Sequence, residues 1–140
     1  MASLFTRIIN GELPGRFVWS DERCVAFLTI APIADGHTLV VPRSEVDHWV
    51  DLDDDLAAHL MVVSRKIGAA QMEAFSPNRV GVIIAGLEVP HTHIHVIPIE
   101  SESDLDFRRA DPNAGAEALD TAAHRLREAL RSQGHPEVTS

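Results

Sequence analysis

The 140-residue chain has a single cysteine, fewer basic than acidic residues and no long apolar run, and each of these features excludes a class of protein. Cys24 alone rules out an internal disulfide and a zinc site built from cysteines. No apolar run approaches the ~20 residues of a membrane span, so we expect no membrane partner. The formal net charge of -9 repels phosphate backbones, which argues against a nucleic-acid partner.

The N-terminal segment also lacks the apolar core of a signal peptide, because polar residues interrupt residues 1–15 almost at once. We therefore expect a cytoplasmic protein. A hydrophobic content of 45% and a charged content of 24% are typical of a globular domain. Since the length suits one domain, the sequence predicts a single domain over residues 1–140.

Hydrophobic periodicity predicts an α+β fold with a mainly antiparallel sheet. The expected strands are 17–20, 24–28, 36–42, 80–84 and 91–99, with the first two joined as a hairpin. The expected helices are a short one within 3–10, a long one from Asp53 or Asp54 to about Phe75, and a last one at about 116–132. The polar stretch 100–113 is expected to be a loop.

Three histidines alternate with other residues in the run VPHTHIHVIPI. In an extended strand this spacing places His91, His93 and His95 on one face. Near neutral pH an imidazole acts as a nucleophile, a proton carrier or a metal ligand. The array therefore has several chemical uses.

The residues alone allow three interpretations of this array. As structural residues, the buried rings would each need a hydrogen-bond partner. As metal ligands, they would need a further donor from another segment, and no carboxylate or cysteine cluster lies nearby in the sequence. As catalysts at phosphorus, one imidazole would form a phosphoramidate while another holds phosphate oxygens or protonates the leaving group. The spacing does not choose among the three.

The run HTHIHVIPI resembles the signature of the histidine triad superfamily, and three upstream segments agree with it. FTRIINGELP (5–14), VAFLTIAP (25–32) and GHTLVVP (36–42) are similar in order and spacing to Hint-like members, so the resemblance covers about residues 3–100. It implies the HIT-like fold, with a five-stranded sheet, a long helix and a C-terminal loop and helix at about 101–134. It also implies a homodimer with a continuous ten-stranded sheet, for which Trp49 and the long helix are candidate contacts.

The resemblance further implies a nucleotide-directed hydrolase or transferase that acts on nucleoside phosphoramidates or phosphoanhydrides through a covalent nucleotidyl-histidine intermediate. His93 would be the nucleophile and His95 would contact the phosphate and the leaving group, while His91 and His37 would orient them. An AMP-like or GMP-like ligand is expected, with no cofactor and no metal. The positions that would line the base pocket are Leu4, Phe5, Ile8, Phe27 and Ile30.

The sequence departs from its relatives at positions that would contact the ribose and the phosphate. Thr29 stands where many relatives carry an Asp that accepts hydrogen bonds from the ribose, and Leu87 stands where a Gln commonly contacts phosphate. Glu88 falls where a small hydroxyl residue often donates to phosphate, in a segment, Leu87 to Val89, expected to border that group. These departures keep an alternative open, a purine nucleotide-binding protein with vestigial catalysis.

Some relatives bind a structural zinc through a pair of N-terminal cysteines and histidines. Ser3 and Thr6 occupy roughly the places of those cysteines. We therefore expect no such zinc, and a fold stabilised by core packing and by dimerisation.

Overall fold

The computed structural model describes residues 2–139, which form a five-stranded sheet flanked by helices. The strands are β1 (Phe17–Ser20), β2 (Cys24–Leu28), β3 (Thr38–Pro42), β4 (Arg79–Ile83) and β5 (Ile94–Ile99). The helices are α1 (Leu4–Ile9), α2 (Asp54–Phe75) and α3 (Ala116–Ser132), and single 3₁₀ turns lie at Trp49–Asp51, Glu102–Asp104 and Phe107–Arg109. The strand order is β1-β2-β3-β5-β4 and every neighbouring pair is antiparallel, which confirms the predicted α+β class.

The long helix α2 has the boundaries that its sequence dictates. Its N-terminus is capped by the Asp53 carboxylate, which accepts a hydrogen bond of 2.8 Å from the Leu56 backbone N–H. Its C-terminus is Ser76, in the left-handed conformation, followed by Pro77, which cannot continue a helix. Between these ends the apolar stripe of α2 packs on one face of the sheet, where α3 completes the main hydrophobic core. In the described part of the chain no helix is both long and apolar enough to cross a membrane.

The opposite face of the sheet carries the histidines. Phe27, Leu39, His95 and Ile83 are cross-strand partners in β2, β3, β5 and β4, so their side chains form one row across the sheet. Helix α1 covers part of this face through Phe5, which belongs to a smaller apolar cluster with residues of β2 and β3. The site is therefore built on the sheet, with a short helix packed over it.

The start of the last strand differs from the prediction. Residues 91–99 were expected to form one strand, but β5 begins at Ile94. The backbone N–H of His91 donates to Val89 and that of Thr92 donates to Val46, so residues 91–93 lie outside the β3–β5 ladder. The strands predicted at 36–42 and 80–84 begin at Thr38 and at Arg79.

Two residues fix the geometry where β3 and β5 meet α2. Gly36 has a φ of +85°, and a Cβ at this position would collide with the ring of Phe75, so only glycine fits. The fully buried Gln71 of α2 donates from Nε2 to the carbonyl oxygens of Gly36 and Val96, at 2.9 Å each. These carbonyl groups belong to the neighbours of His37 and His95 in the sequence, so Gln71 holds the two strands at the site.

Asp21 joins the β1–β2 hairpin to α2. One carboxylate oxygen accepts hydrogen bonds of 2.8 Å from Trp19 Nε1 and from His59 Nε2, and the other accepts from the backbone N–H groups of Arg23 and Cys24. Burial acts to raise the pKa of Asp21, but these hydrogen bonds outweigh it and hold the pKa well below its usual range. The ionised carboxylate therefore stabilises the contact between the hairpin and α2.

Asp21, Cys24 and His59 also place three metal-type donor atoms within 4.8 Å of one another. Burial and the neighbouring Asp21 charge raise the pKa of the Cys24 thiol far above its usual value, so the thiol stays protonated. The carboxylate already accepts bonds from several donors. The three side chains therefore form a hydrogen-bonded cluster.

Replacing Asp21 by Asn should lower the free energy of unfolding at pH 7 by about 2 kcal/mol, the scale of losing hydrogen bonds to a charged group. The folded-state pKa of Asp21 is depressed, so its contribution is complete above the unfolded pKa of about 3.9 and is lost as the pH falls below it. Urea unfolding at pH 7, 4 and 2 should show the difference from wild type shrinking with acidity. An equal loss in the exposed control Asp47→Asn would contradict this account.

Candidate functional site

Four histidines from two segments converge on the α1 side of the sheet. His37 precedes β3, His91 and His93 precede β5, and His95 lies within β5. His37, His91 and His93 are exposed by only 2%, 0% and 5%, while His95 is partly exposed. The structure thus brings together all four histidines that the sequence singled out.

His37 and His95 form a pair whose tautomers follow from their neighbours. The Ile33 backbone N–H donates to His37 Nδ1 at 3.0 Å, so the proton of neutral His37 is on Nε2. Nε2 of His37 lies 2.9 Å from His95 Nδ1, which therefore accepts. The proton of neutral His95 is consequently on its own Nε2, as a donor to whatever binds there.

His91 and His93 are fixed in the same way by carbonyl groups. His91 Nε2 donates to the Pro42 carbonyl oxygen at 2.7 Å, and His93 Nδ1 donates to the His91 carbonyl oxygen at 2.7 Å. The lone pair of neutral His93 is therefore on Nε2. This nitrogen has no hydrogen-bond partner among residues 2–139, and it is not completely enclosed by the protein.

Burial favours the neutral form of His37, His93 and His95. It lowers the pKa of His37 to about 3 and that of His95 to about 4, and in each case a neighbouring histidine adds to the effect. Burial also lowers the pKa of His93, although the hydrogen bond to His91 and the charge of Glu88 act in the opposite direction. At neutral pH the site therefore presents one free imidazole lone pair beside one imidazole N–H.

Aromatic rings border the histidines on both sides. Phe5 of α1 meets His93 edge to face with ring centres 4.8 Å apart, and His93 meets His95 at 4.9 Å. Phe107, from the loop after β5, meets His95 at 4.8 Å and is 42% exposed. Phe107 was not predicted as a site residue, because its only signal in the sequence is an aromatic residue in an otherwise polar loop.

The residues expected to line a nucleotide pocket fall into two groups. Phe5 and Phe27 are buried beside the histidines, and Ile8 and Val89 pack against their cluster. The other four are on the surface: Leu4, Ile30, Leu87 and Glu88. Ile30 is 74% exposed and Leu87 is 96% exposed. Leu4 and Ile30 are therefore not core residues.

Thr29 lies between these groups and is partly buried. Its Oγ1 accepts a hydrogen bond of 3.2 Å from the Ala31 backbone N–H, and its own backbone N–H bonds to the His37 carbonyl oxygen. The hydroxyl proton remains available as a donor. Thr29 can thus still contact a ligand next to His37, with one donor in place of a carboxylate.

The sequence and the fold of this chain are similar to those of known proteins. The sequence profile of the HIT domain matches residues 10–102. A zinc-bound histidine triad family protein from Mycobacterium smegmatis has a TM-score of 0.81 and 27% identity, with 95% of this chain and 96% of that chain covered. A hypothetical histidine triad nucleotide-binding protein from Sulfolobus tokodaii strain 7 has a TM-score of 0.79 and 28% identity, with 91% of each chain covered. A HIT family hydrolase from Legionella pneumophila has a TM-score of 0.60 and 31% identity, over 69% of this chain and 91% of that chain.

The tautomers assigned above predict the histidine nitrogen signals in long-range ¹H–¹⁵N correlation spectra. We expect His93 with its proton on Nδ1, and His37 and His95 with theirs on Nε2. His37 and His95 should stay neutral down to about pH 5, because their pKa values lie near 3 and 4. A proton on Nε2 of His93 at neutral pH would contradict the assignment.

Proposed function

The chain belongs to the HIT domain family, and we propose that it is a nucleotide-directed hydrolase or transferase that works through a covalent nucleotidyl group on His93. Its substrates are nucleoside phosphoramidates or phosphoanhydrides. The observation that carries this proposal is the free lone pair on Nε2 of His93, held there by the hydrogen bond from Nδ1 to the His91 carbonyl oxygen. Among the similar structures, the hydrolase supports a hydrolytic activity and the nucleotide-binding protein supports a nucleotide ligand.

The reaction proceeds in two displacements at phosphorus. The Nε2 lone pair of His93 forms a bond to phosphorus while the bond from phosphorus to the leaving group breaks, and the leaving group takes the electron pair and a proton from solvent. Water then forms a bond to phosphorus while the bond from phosphorus to Nε2 breaks, and a proton of the water passes to solvent. Nε2 regains its lone pair, His93 is neutral again and the nucleoside monophosphate leaves. If another nucleophile replaces water, the outcome is transfer.

His95 and the carbonyl of His91 stabilise the charges that develop. Because burial keeps His95 neutral, its Nε2–H acts as a hydrogen-bond donor to phosphate oxygens and not as a strong acid. The ring of His93 becomes positive as it bonds to phosphorus, which strengthens its Nδ1–H bond to the His91 carbonyl oxygen. The carboxylate of Glu88 also favours positive charge on His93, as its effect on the pKa of that residue indicates.

The nucleoside is proposed to lie on the apolar cluster beside His93. Phe5 and Phe27 would lie beneath the nucleoside, and Ile8 and Val89 pack at the edge of this cluster. Leu4 and Ile30 are exposed. Thr29 offers one hydroxyl to the ribose. Leu87 has no donor for phosphate and is 96% exposed, so phosphate binding falls to His95 and backbone groups.

We also propose a homodimer formed through β4. This strand is at the edge of the sheet, and Val82 is 44% exposed on the side that packs against α2. Met61 and Val62 of α2 are 48% and 41% exposed, and Trp49 is 47% exposed. An edge strand and exposed apolar side chains are features that a second copy would cover. The cytoplasmic location and the single-domain organisation stay predictions.

Replacing His93 by Ala should lower turnover of an adenosine phosphoramidate roughly 10³-fold or more, the scale of removing a nucleophile. Release of AMP would be followed with a matched control, His124→Ala, which changes an exposed histidine on α3. The control should keep wild-type turnover. Undiminished turnover in His93→Ala would overturn the mechanism.

The second candidate function is purine nucleotide binding without turnover, which Thr29, Leu87 and Glu88 favour. Calorimetry of the wild-type protein with AMP, GMP and inorganic phosphate should show that a nucleotide binds more tightly than phosphate alone, because the apolar cluster contacts the base. The same preparation should turn over the phosphoramidate. Nucleotide binding without turnover would favour the second candidate, and no nucleotide binding would remove both.

A further inference from the structure

A hydrogen-bonded network ties the N-terminal helix to the histidines. Oε1 of Glu45, in the segment after β3, accepts from the Ser3 backbone N–H at 2.6 Å and from Thr6 Oγ1 at 2.7 Å. Ser3 Oγ lies 2.7 Å from His91 Nδ1. One exposed carboxylate thus joins α1, the β3–α2 segment and the segment before β5.

The donors and acceptors of this network are matched. His91 Nε2 carries the proton that it donates to Pro42, so its Nδ1 accepts the hydroxyl proton of Ser3. The hydroxyl proton of Thr6 goes to Glu45, and the Thr6 backbone N–H donates to Ser3 Oγ at 3.1 Å. The hydrogen bonds from Ser3 and Thr6 lower the pKa of Glu45 to about 2, so the carboxylate is charged throughout the neutral range.

These residues do not fit the structural zinc that some family members carry. A structural zinc site is closed by four strong ligands, usually thiolates and imidazoles, and neutral Ser and Thr hydroxyls are weak ligands. Here Ser3 and Thr6 instead donate their protons to His91 and Glu45. The Glu45 carboxylate instead links α1 to the segment after β3 through hydrogen bonds.

Building on the proposed role of His93, we propose that Glu45 is a positioning residue for this nucleophile. Two routes connect them. Through Ser3, the network holds His91, whose carbonyl oxygen accepts the Nδ1–H of His93 at 2.7 Å. Through α1, it holds Phe5 with its ring centre 4.8 Å from that of His93. Loss of the carboxylate frees both contacts and lets the His93 ring rotate away from its reactive orientation.

The test compares Glu45→Ala and Glu45→Gln with Asp47→Ala, which removes an exposed acid two residues away. Glu45→Ala should lower kcat for the phosphoramidate about tenfold or more, with a smaller change in KM, because the orientation of His93 is lost while the proposed ligand contacts of Phe27 and His95 remain. Glu45→Gln should stay within about threefold of wild type, since its amide oxygen accepts both hydrogen bonds. Asp47→Ala should match wild type. Equal activity of Glu45→Ala and wild type would overturn the proposal.

A readout without activity separates this inference from the proposed function. In ¹H–¹⁵N correlation spectra, Glu45→Ala should lose the single Nδ1–H form of His93, and Glu45→Gln should keep it. If wild type shows no turnover but Glu45→Ala loses this signal, the proposed function fails and the positioning role stands. An unchanged signal in Glu45→Ala refutes the positioning role.

Chelation tests the metal-free character of the network. Wild-type protein purified with a chelator should keep its turnover and its Tm, and added zinc should change neither. Activity or Tm that falls on chelation and returns with zinc would show that a metal, and not Glu45 alone, joins these segments.

Discussion

The hydrogen bond from His93 Nδ1 to the carbonyl oxygen of His91 is the interaction on which the proposed chemistry depends. It leaves the lone pair of a neutral ring on Nε2, the nitrogen that accepts no hydrogen bond from residues 2–139. A carbonyl within the β3–β5 ladder would pair with a backbone N–H of the neighbouring strand. Because residues 91–93 precede the ladder, the His91 carbonyl is available to the side chain two residues later.

Two supports hold this arrangement from opposite sides. On the helix side of the sheet, Gln71 binds the carbonyl groups next to His37 and His95, so the pair sits on strands locked to α2. On the other side, Glu45 and Ser3 hold His91 and the first turn of α1. The reactive nitrogen is therefore placed by hydrogen bonds from segments distant in sequence, and burial favours the neutral form of His37, His93 and His95.

The sequence predicted the elements whose signals are local. The Asp53 cap, the apolar stripe and Pro77 define α2, and the alternating histidines define which side chains gather. It misplaced the start of β5, because the backbone of Thr92 bonds to Val46, a contact across 46 residues that no local pattern shows. The hydrogen bonds of Glu45 with Ser3 and Thr6 and the contact of Phe107 with His95 were missed for the same reason.

The most direct test of the central claim is a crystal structure with a nucleoside monophosphate bound. The account predicts that phosphorus lies about 3 to 3.5 Å from His93 Nε2, the reach of a near-attack geometry. A phosphate oxygen should accept the Nε2–H of His95, with the base against Phe5 and Phe27. Phosphorus held elsewhere, or His93 Nε2 donating to a phosphate oxygen while Nδ1 has turned from the His91 carbonyl, would contradict it.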